Sequence, residues 1–532
     1  MSDMSKEVLF NGDLLREIFR HLEGDRKVQL LAAALTCKTF AEPAQDSLWR
    51  TMYSIIPFLK LIPSFVSTFG TPCFVDDKPP SSYPRFQAQA VRVQRFHLDD
   101  AAQGRPIRRL LPTMAVLRLA QLKGDQPLFP ALRHLSFESG ACIEEYVLLL
   151  LNPSVVSMAI NNFHADRLNT ASLLCMLPTL ETKLTELVLS GETWLVPDSL
   201  AAIARMASLR SLRLSLPARN LPFASLHGLR ELETVHLTAG GAFILHFLSN
   251  ILSKKLANVT LLRRDRQPWW IDSGETQGQD QAPSFWHRCA EILQEKAKHT
   301  LRTFSIQDLV APDPFASFKY QSFAQLLYPI HGLELLEVGT VSQAAVVITD
   351  EDYSNMAEAW PHIKTLHLLL PYITPTPNLF GNTSCSGPLN HPTAKGLAIL
   401  AQHCHKIESL QLYLPSVDLN DANITLPTNF WGNPSLKKLW LGSCRVVDPL
   451  STSMHLSSLF PNLKAIAGVA PFPGSSNAVA HAGTACGFEW MTVQKHLAVI
   501  HDIRAAERLR VASILREERV QLTGRARKLI YV

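Results

Sequence analysis

The sequence predicts an α/β solenoid, with short parallel strands on a concave face and helices and loops on the convex one, preceded by a small module of three helices. Three observations predict it. A hexamer of pattern L-x-x-L-x-L recurs through most of the chain. Leucine fills 81 of 532 positions, well above ordinary usage, while charged residues are only 18%, too few for a coiled coil. Residues 1–50 carry helical rather than alternating apolar periodicity.

In that first stretch Leu14, Leu15, Ile18, Phe19 and Leu22 fall at i, i+1, i+4, i+5 and i+8, one face of a helix. Asp13 precedes them and is the expected N-cap, its carboxylate accepting from a free backbone N–H. A second helix is expected from Val28 to Phe40 through Leu30, Leu31, Ala34 and Leu35, and a short third one from Ala44 to Trp49. Three helices this small leave apolar surface that needs a neighbouring domain or a partner.

Residues 51–92 read as a proline-rich connection, densest at Pro79 to Pro84. Within it, Met52 to Val75 is apolar enough to be mistaken for a membrane span. Pro57, Lys60, Pro63 and Pro72 interrupt it below the roughly 20 apolar residues a bilayer needs.

Residues 93–486 hold the repeats. Clear hexamers are LRHLSF at 132, LTELVL at 184, LRSLRL at 209, LETVHL at 232, LANVTL at 256, LRTFSI at 301, LELLEV at 333, IKTLHL at 363, IESLQL at 407 and LKKLWL at 436. Weaker ones are VQRFHL at 93, MAVLRL at 114, VVSMAI at 155 and LKAIAG at 463. The alternation that ends each hexamer makes a short strand with one apolar face. The intervening stretch returns as a helix, as expected for FASLHGLRE (223–231) and KGLAILAQHC (395–404). One such unit cannot bury its own face, but stacked units share a core.

Residues 487–532 form a basic helical segment with 9 Lys+Arg against 5 Asp+Glu, nearly all of the chain's net charge of +5. Leu497, Ile500, Ile503, Ala506 and Leu509 lie near one face. Two readings stand: a helix capping the last repeat, or a segment docking on an acidic partner or serving nuclear targeting.

Composition excludes several classes. The nearly neutral body is not that of a dedicated nucleic-acid binder. Nine Cys, scattered singly with no CxxC, do not form a disulfide framework and fit a reducing, cytoplasmic or nuclear setting. No signal-peptide run opens the chain, and no membrane association is expected. GxSxG, P-loop, GxGxxG, HExxH and RING-type spacings are absent, so catalysis by this chain is not expected. His403-Cys404-His405 has metal-ligand residue types, but adjacent helical positions point apart and no second cluster lies nearby. Neither metal nor cofactor is expected.

The N-terminal residues FNGDLLREIFRHL and LTCKTFAEPAQDSLW resemble the F-box, the short helical module that docks onto the Skp adaptor of cullin–RING ubiquitin ligases. Phe10 stands for the family's Leu, Asn11 for its Pro (a replacement familiar from fungal members) and Asp13 for its Glu. Ile18-Phe19 match outright, and Leu35, Cys37, Lys38, Phe40, Leu48 and Trp49 match the second half. The hexamers are similar to the leucine-rich repeats that many F-box proteins carry as target-binding domains.

The resemblance implies a substrate receptor of a Skp–cullin–F-box ligase, with the adaptor and through it cullin as partners and an unidentified protein as target. It implies adaptor-docking roles for Phe10, Leu14, Leu15, Ile18, Phe19, Leu22, Leu35, Cys37, Lys38 and Trp49. Leu15, Ile18, Phe19 and Leu35 are the side chains expected to be buried against the adaptor, at roughly 1.5–3 kcal/mol each. The alternatives are that these helices pack into the protein's own core, or that the chain is a repeat scaffold without ligase activity. For the target, the hexamer's fifth position lies on the strand surface and reads Glu337, His367, Gln411 and Trp440 along the later repeats, with Lys437 and Lys438 beside the Trp. Trp440 is either a contact residue or is packed on Tyr413 or a loop. Trp269-Trp270 either inserts into a partner or covers the solenoid.

Overall fold

The computed structural model describes residues 11–22, 26–63, 65–68, 71–74, 78–99, 113–138, 143–161, 168–180, 183–191, 197–217, 227–264, 285–308, 320–340, 348–369, 393–412, 414, 416–417, 432–441, 445–467 and 485–530. Phe10, Tyr413 and Trp269-Trp270 lie outside them. The chain divides into two compact units, Met1–Lys255 and Leu256–Val532.

The first unit opens with helices α1 (Gly12–Arg20), α2 (Lys27–Thr36) and α3 (Lys38–Arg50). The break falls at Cys37, whose backbone is extended (φ −157°, ψ 163°), so Phe40 belongs to α3 and not to the second helix as expected. Then come β1 (Thr51–Met52), α4 (Ile56–Leu59), an antiparallel hairpin β2 (Phe65–Thr68) and β3 (Thr71–Phe74), and α5 (Pro84–Ala90). The apolar stretch from Met52 therefore folds as short elements. Among the described residues no helix is long and apolar enough to cross a membrane.

Strands and helices then alternate: β4 (Arg95–Asp99), α6 (Thr113–Lys123), β5 (His134–Glu138), α7 (Ile143–Leu150), β6 (Ser157–Asn161), α8 (Leu168–Met176), β7 (Glu186–Ser190), α9 (Pro197–Ala204), β8 (Ser211–Ser215), β9 (Thr234–Ala239) and α10 (Gly241–Asn250). β1 and β4 to β9 pair in chain order, each parallel to the next. Parallel neighbours need a crossover, which the helices supply. MAVLRL is the hexamer that makes no strand. It lies inside α6, where Ala115, Val116 and Leu119 form a buried helical face. The segment ending in HGLRE is also not a helix over its described part. Gly228 forms a bridge with Ile251, and a Cβ there would stand 1.9 Å from the carbonyl oxygen of Ala204, which only glycine permits.

The second unit repeats the plan: β10 (Asn258–Arg263), α11 (Phe285–Ala297), β11 (Thr303–Asp308), α12 (Tyr320–Leu327), β12 (Leu335–Thr340), α13 (Asp350–Ala359), β13 (Thr365–Leu369), α14 (Ala394–His403), β14 (Ser409–Gln411), β15 (Ser416–Val417), β16 (Lys438–Trp440), β17 (Arg445–Val446), α15 (Pro449–Leu459), β18 (Ala465–Ala467) and α16 (Ala485–Ile530). β10 to β14, β16 and β18 form the parallel sheet, and β15 pairs with β17 alone. The expected helix at 395–404 is α14.

Each strand sends its hexamer leucines inward, as the burial of Leu187 and Leu189 on β7 or Leu366 and Leu368 on β13 shows. A second device ties neighbouring repeats within a unit. A hydroxyl just ahead of one hexamer donates to the carbonyl of the first Leu of the hexamer before it. Ser154 donates to Leu132 (2.8 Å), Ser208 to Leu184 (2.8 Å), Ser253 to Leu232 (2.6 Å) and Thr300 to Leu256 (2.8 Å). These turns carry carbonyls that no strand satisfies, and the hydroxyl supplies the missing donor.

Helix α16 packs through its first turns, where Trp490, Val493 and Leu497 are buried, and Arg504 donates to the carbonyl oxygen of Ser457 at 2.6 Å. Beyond that the apolar face drawn from the sequence is uncovered: Ile503 is 62% and Leu509 74% exposed.

Candidate functional site

Helix α1 begins at Asn11, whose Oδ1 accepts the backbone N–H of Asp13 (3.0 Å) and Leu14 (3.2 Å). Asn11, not Asp13, is the cap. Asp13 lies in the first turn, where its charge favours the positive helix end and pairs with Arg16 Nη1 at 2.9 Å.

The helix is apolar on two sides, and the structure separates them. Leu15 and Phe19 point inward with Leu30 and Ala44, enclosed by Leu22, Ala33, Ala34, Phe40 and Leu48. The Phe19 and Phe40 rings meet edge to face at 5.7 Å. Leu15 and Phe19, expected to be buried against the adaptor, are thus already occupied in the module's own core. Leu22 is half-buried there.

Leu14 and Ile18, the other i,i+4 pair of α1, are 45% and 47% exposed. On α2, Val28, Leu31 and Leu35 (i, i+3, i+7) are 79%, 50% and 80% exposed. Val28 and Leu31 extend the set expected from the sequence. Their signal was the spacing itself, shared with Leu35. Cys37 and Lys38 are exposed at the α2–α3 junction.

Trp49 is not presented outward. It is half-buried and meets Phe58 edge to face at 4.7 Å, and Phe58 continues into a cluster with Phe86 and Phe129. Beside it Arg16 Nε donates to Asp46 Oδ2 at 3.0 Å, and Arg92, ahead of β4, donates to the other oxygen of Asp46. Lys27 Nζ donates to the Thr51 carbonyl (3.0 Å) and lies 5.0 Å from the centre of the Tyr53 ring; burial lowers its pKa. The three-helix module is thereby fastened to the start of the first unit's sheet.

The second unit carries the other candidate surface. Glu337 on β12, His367 on β13, Gln411 on β14 and Trp440 on β16 stand opposite one another in register, as the sequence reading required. They differ in availability. Gln411 is buried, contrary to the expected solvent exposure, while Glu337, His367 and Trp440 are half-buried. The Trp440 ring stands edge-on to His367 at 5.8 Å, so an in-register neighbour supports it.

Two hydroxyls bond to members of this row, Ser305 in register with Glu337 and Ser409 in register with Thr365. Ser305 Oγ donates to Glu337 Oε2, and Ser409 Oγ lies 2.8 Å from His367 Nε2. Burial lowers the pKa of His367, with Glu337 opposing and Lys438 adding to the effect. Lys438 is exposed, two residues before Trp440 on the same strand face. Cys404 is buried, its thiol pushed up to about 12 by desolvation, while His403 and His405 are exposed.

Comparison with known proteins gives three findings. Residues 13–55 match the family described as F-box-like. No curated protein matches the chain. Among solved structures, a chain from the crystal structure of the Rad7 and Elc1 complex in yeast is similar at 14% identity and a TM-score of 0.33, over 89% of this chain and 94% of that one. The three-helix module at the N-terminal end, with its buried Leu15–Phe19 core and outward Leu14–Ile18 pair, is an F-box-like domain.

Proposed function

We propose that this chain is the substrate-recognition subunit of a Skp–cullin–F-box ubiquitin ligase, its F-box-like domain holding the Skp adaptor and its repeats holding the target. The observation that carries this reading is the row of large apolar side chains left open on α1 and α2: Leu14, Ile18, Val28, Leu31 and Leu35. A three-helix module that already has a core has no internal use for them, and a helical partner would bury them at roughly 1.5–3 kcal/mol each. The chain itself does no chemistry in this reading. It raises the local concentration of target lysines near the ubiquitin donor, a proximity effect.

The test is capture of the adaptor and cullin by the intact chain, beside an Ile18→Asp/Leu31→Asp variant. Both positions are open to solvent, so the variant should fold and melt like the parent. Capture of both proteins by the parent and of neither by the variant supports the proposal. Capture of the adaptor without cullin would make the chain a repeat scaffold outside the ligase, and capture of neither would leave α1–α3 as a cap on the repeats.

A further inference from the structure

Helix α16 is packed at its start and open beyond it. Trp490, Val493 and Leu497 are buried, and Arg504 is the last residue bonded to another element among the described residues, through Ser457. From Ala505 to Arg516 every residue is exposed. At about 3.6 residues per turn that stretch runs through more than three turns, so the helix is open on every side.

Large apolar side chains lie on this stretch and just ahead of it. Val499, Ile503, Val511 and Leu515 fall on one row of four-residue spacing, 45–62% exposed, with Ile514 beside it. Glu507 holds the middle position of the row, and its carboxylate is met within the helix by Arg510 Nη1 at 3.8 Å. The charge is one-sided: Asp502 to Ile530 holds 8 Lys+Arg against 4 Asp+Glu.

Geometry and charge together select the occupant. A four-residue step turns the row by about 40°, so from Val499 to Leu515 it winds through about 160°. Leu509 lies nearly opposite Val511. A flat lipid surface meets one side only and would leave part of the row in water. The phosphates of a nucleic acid would use the arginines and none of the apolar side chains. A second copy of the helix would bring like charges together. An acidic helix meets both demands, because rows of four-residue spacing pack into the grooves of another helix and carboxylates would face the arginines.

We propose that α16 from Ile503 onward is a docking helix, and that it takes an acidic amphipathic helix of a partner protein. The partner's aliphatic side chains lie against Ile503, Val511 and Leu515, and its carboxylates face Arg508 and Arg516. This goes beyond the receptor reading and does not depend on it.

The experiment uses the full chain and, as probe, a fluorescent helical peptide with a leucine stripe at helical spacing and Glu elsewhere. A peptide of the same composition with the leucines scrambled, phosphatidylserine vesicles and duplex DNA are the comparison probes. The striped acidic peptide should bind. Its binding should fall about tenfold or more with Val511→Asp/Leu515→Asp and with Arg508→Glu/Arg516→Glu, and should weaken in high salt. All four positions are open to solvent, so both variants should melt like the parent. Backbone amides of residues 505–516 should gain protection from hydrogen exchange when the peptide binds. No binding, equal binding of the scrambled peptide, indifference to both variants, or no gain of protection at 505–516 would overturn the proposal. So would a preference for vesicles or DNA over the peptide, or self-association of the chain that Val511→Asp/Leu515→Asp abolishes.

Discussion

The side-chain amide of Gln494 completes the backbone of Ile466. Its Oε1 accepts the Ile466 N–H at 2.8 Å, while its Nε2 donates to the carbonyl of Lys464 at 3.1 Å. Gln494 lies on α16 and Ile466 on β18, the last strand of its sheet. An outermost strand presents unpaired groups to any passing chain, and one glutamine here occupies two of them. Gln494→Ala should lower stability by about 1 kcal/mol, since both bonds are partly open to water. The sharper readout is hydrogen exchange, where the Ile466 amide should lose protection ahead of its neighbours on the strand.

Leu15 and Ile18 are near neighbours on α1 with opposite roles. Leu15 is 2% exposed and Ile18 is 47% exposed. Leu15→Ala should therefore cost about 2–5 kcal/mol in urea unfolding through the cavity it leaves. Ile18→Ala should stay within about 0.5 kcal/mol of the parent. Equal costs at the two sites would mean that α1 is turned otherwise than described.

Asp46 links α1 to the residues ahead of β4 through Arg16 and Arg92. Arg92 is mostly covered and Asp46 about one-third open, with side-chain exposures of 17% and 33%. An Asp46→Ala/Arg92→Ala double-mutant cycle should return a coupling of about 1 kcal/mol after allowance for solvent screening. A coupling near zero would leave the aromatic cluster at Trp49 and Phe58 as the main fastening of the helical module.

Five histidines, His97, His134, His236, His367 and His501, have pKa values below the ordinary one of 6.5, with burial the first cause in each. Below 6.5 the unfolded chain therefore binds more protons than the folded one. The contribution of these groups is complete above 6.5 and is lost as pH falls from there through their depressed folded values. Urea unfolding should show stability declining between about pH 7 and about pH 5, and His97→Gln with His367→Gln should flatten that decline. A stability that rises on acidification would contradict the burial of these rings.

The repeats were legible because one hexamer encodes both the strand and its buried face, and a strand two apart in alternation has only one way to lie. MAVLRL shows the limit of that rule. Met114, Leu117 and Leu119 fit the hexamer, but Ala115, Val116 and Leu119 also fit a helix, and the helix is what forms. β1, only two residues long, is too short for any period to announce it.

The F-box-like domain was legible as a family and less so in which of its faces turns outward. Leu14–Ile18 and Leu15–Phe19 are both apolar i,i+4 pairs, so periodicity alone cannot say which one turns inward. That is decided by Leu30, Phe40 and Ala44, which arrive from α2 and α3. The hydroxyl clamps between repeats escaped notice because a Ser or Thr before a strand is ordinary until its partner one repeat away is seen.

The in-register strands also bear on how such a surface could change. Phe304, Leu336, Leu366, Leu410 and Leu439 form an interior row, each fully buried, and each is followed by a residue on the other face of its strand: Ser305, Glu337, His367, Gln411 or Trp440. Adjacent letters of the sequence thus serve different masters, one the buried core and the next the opposite face of the strand. Where the second letter is only half-buried, as at Glu337, His367 and Trp440, it can be rewritten one repeat at a time without removing the first. A solenoid built this way can change that face by single substitutions, each tried on a frame that stays standing.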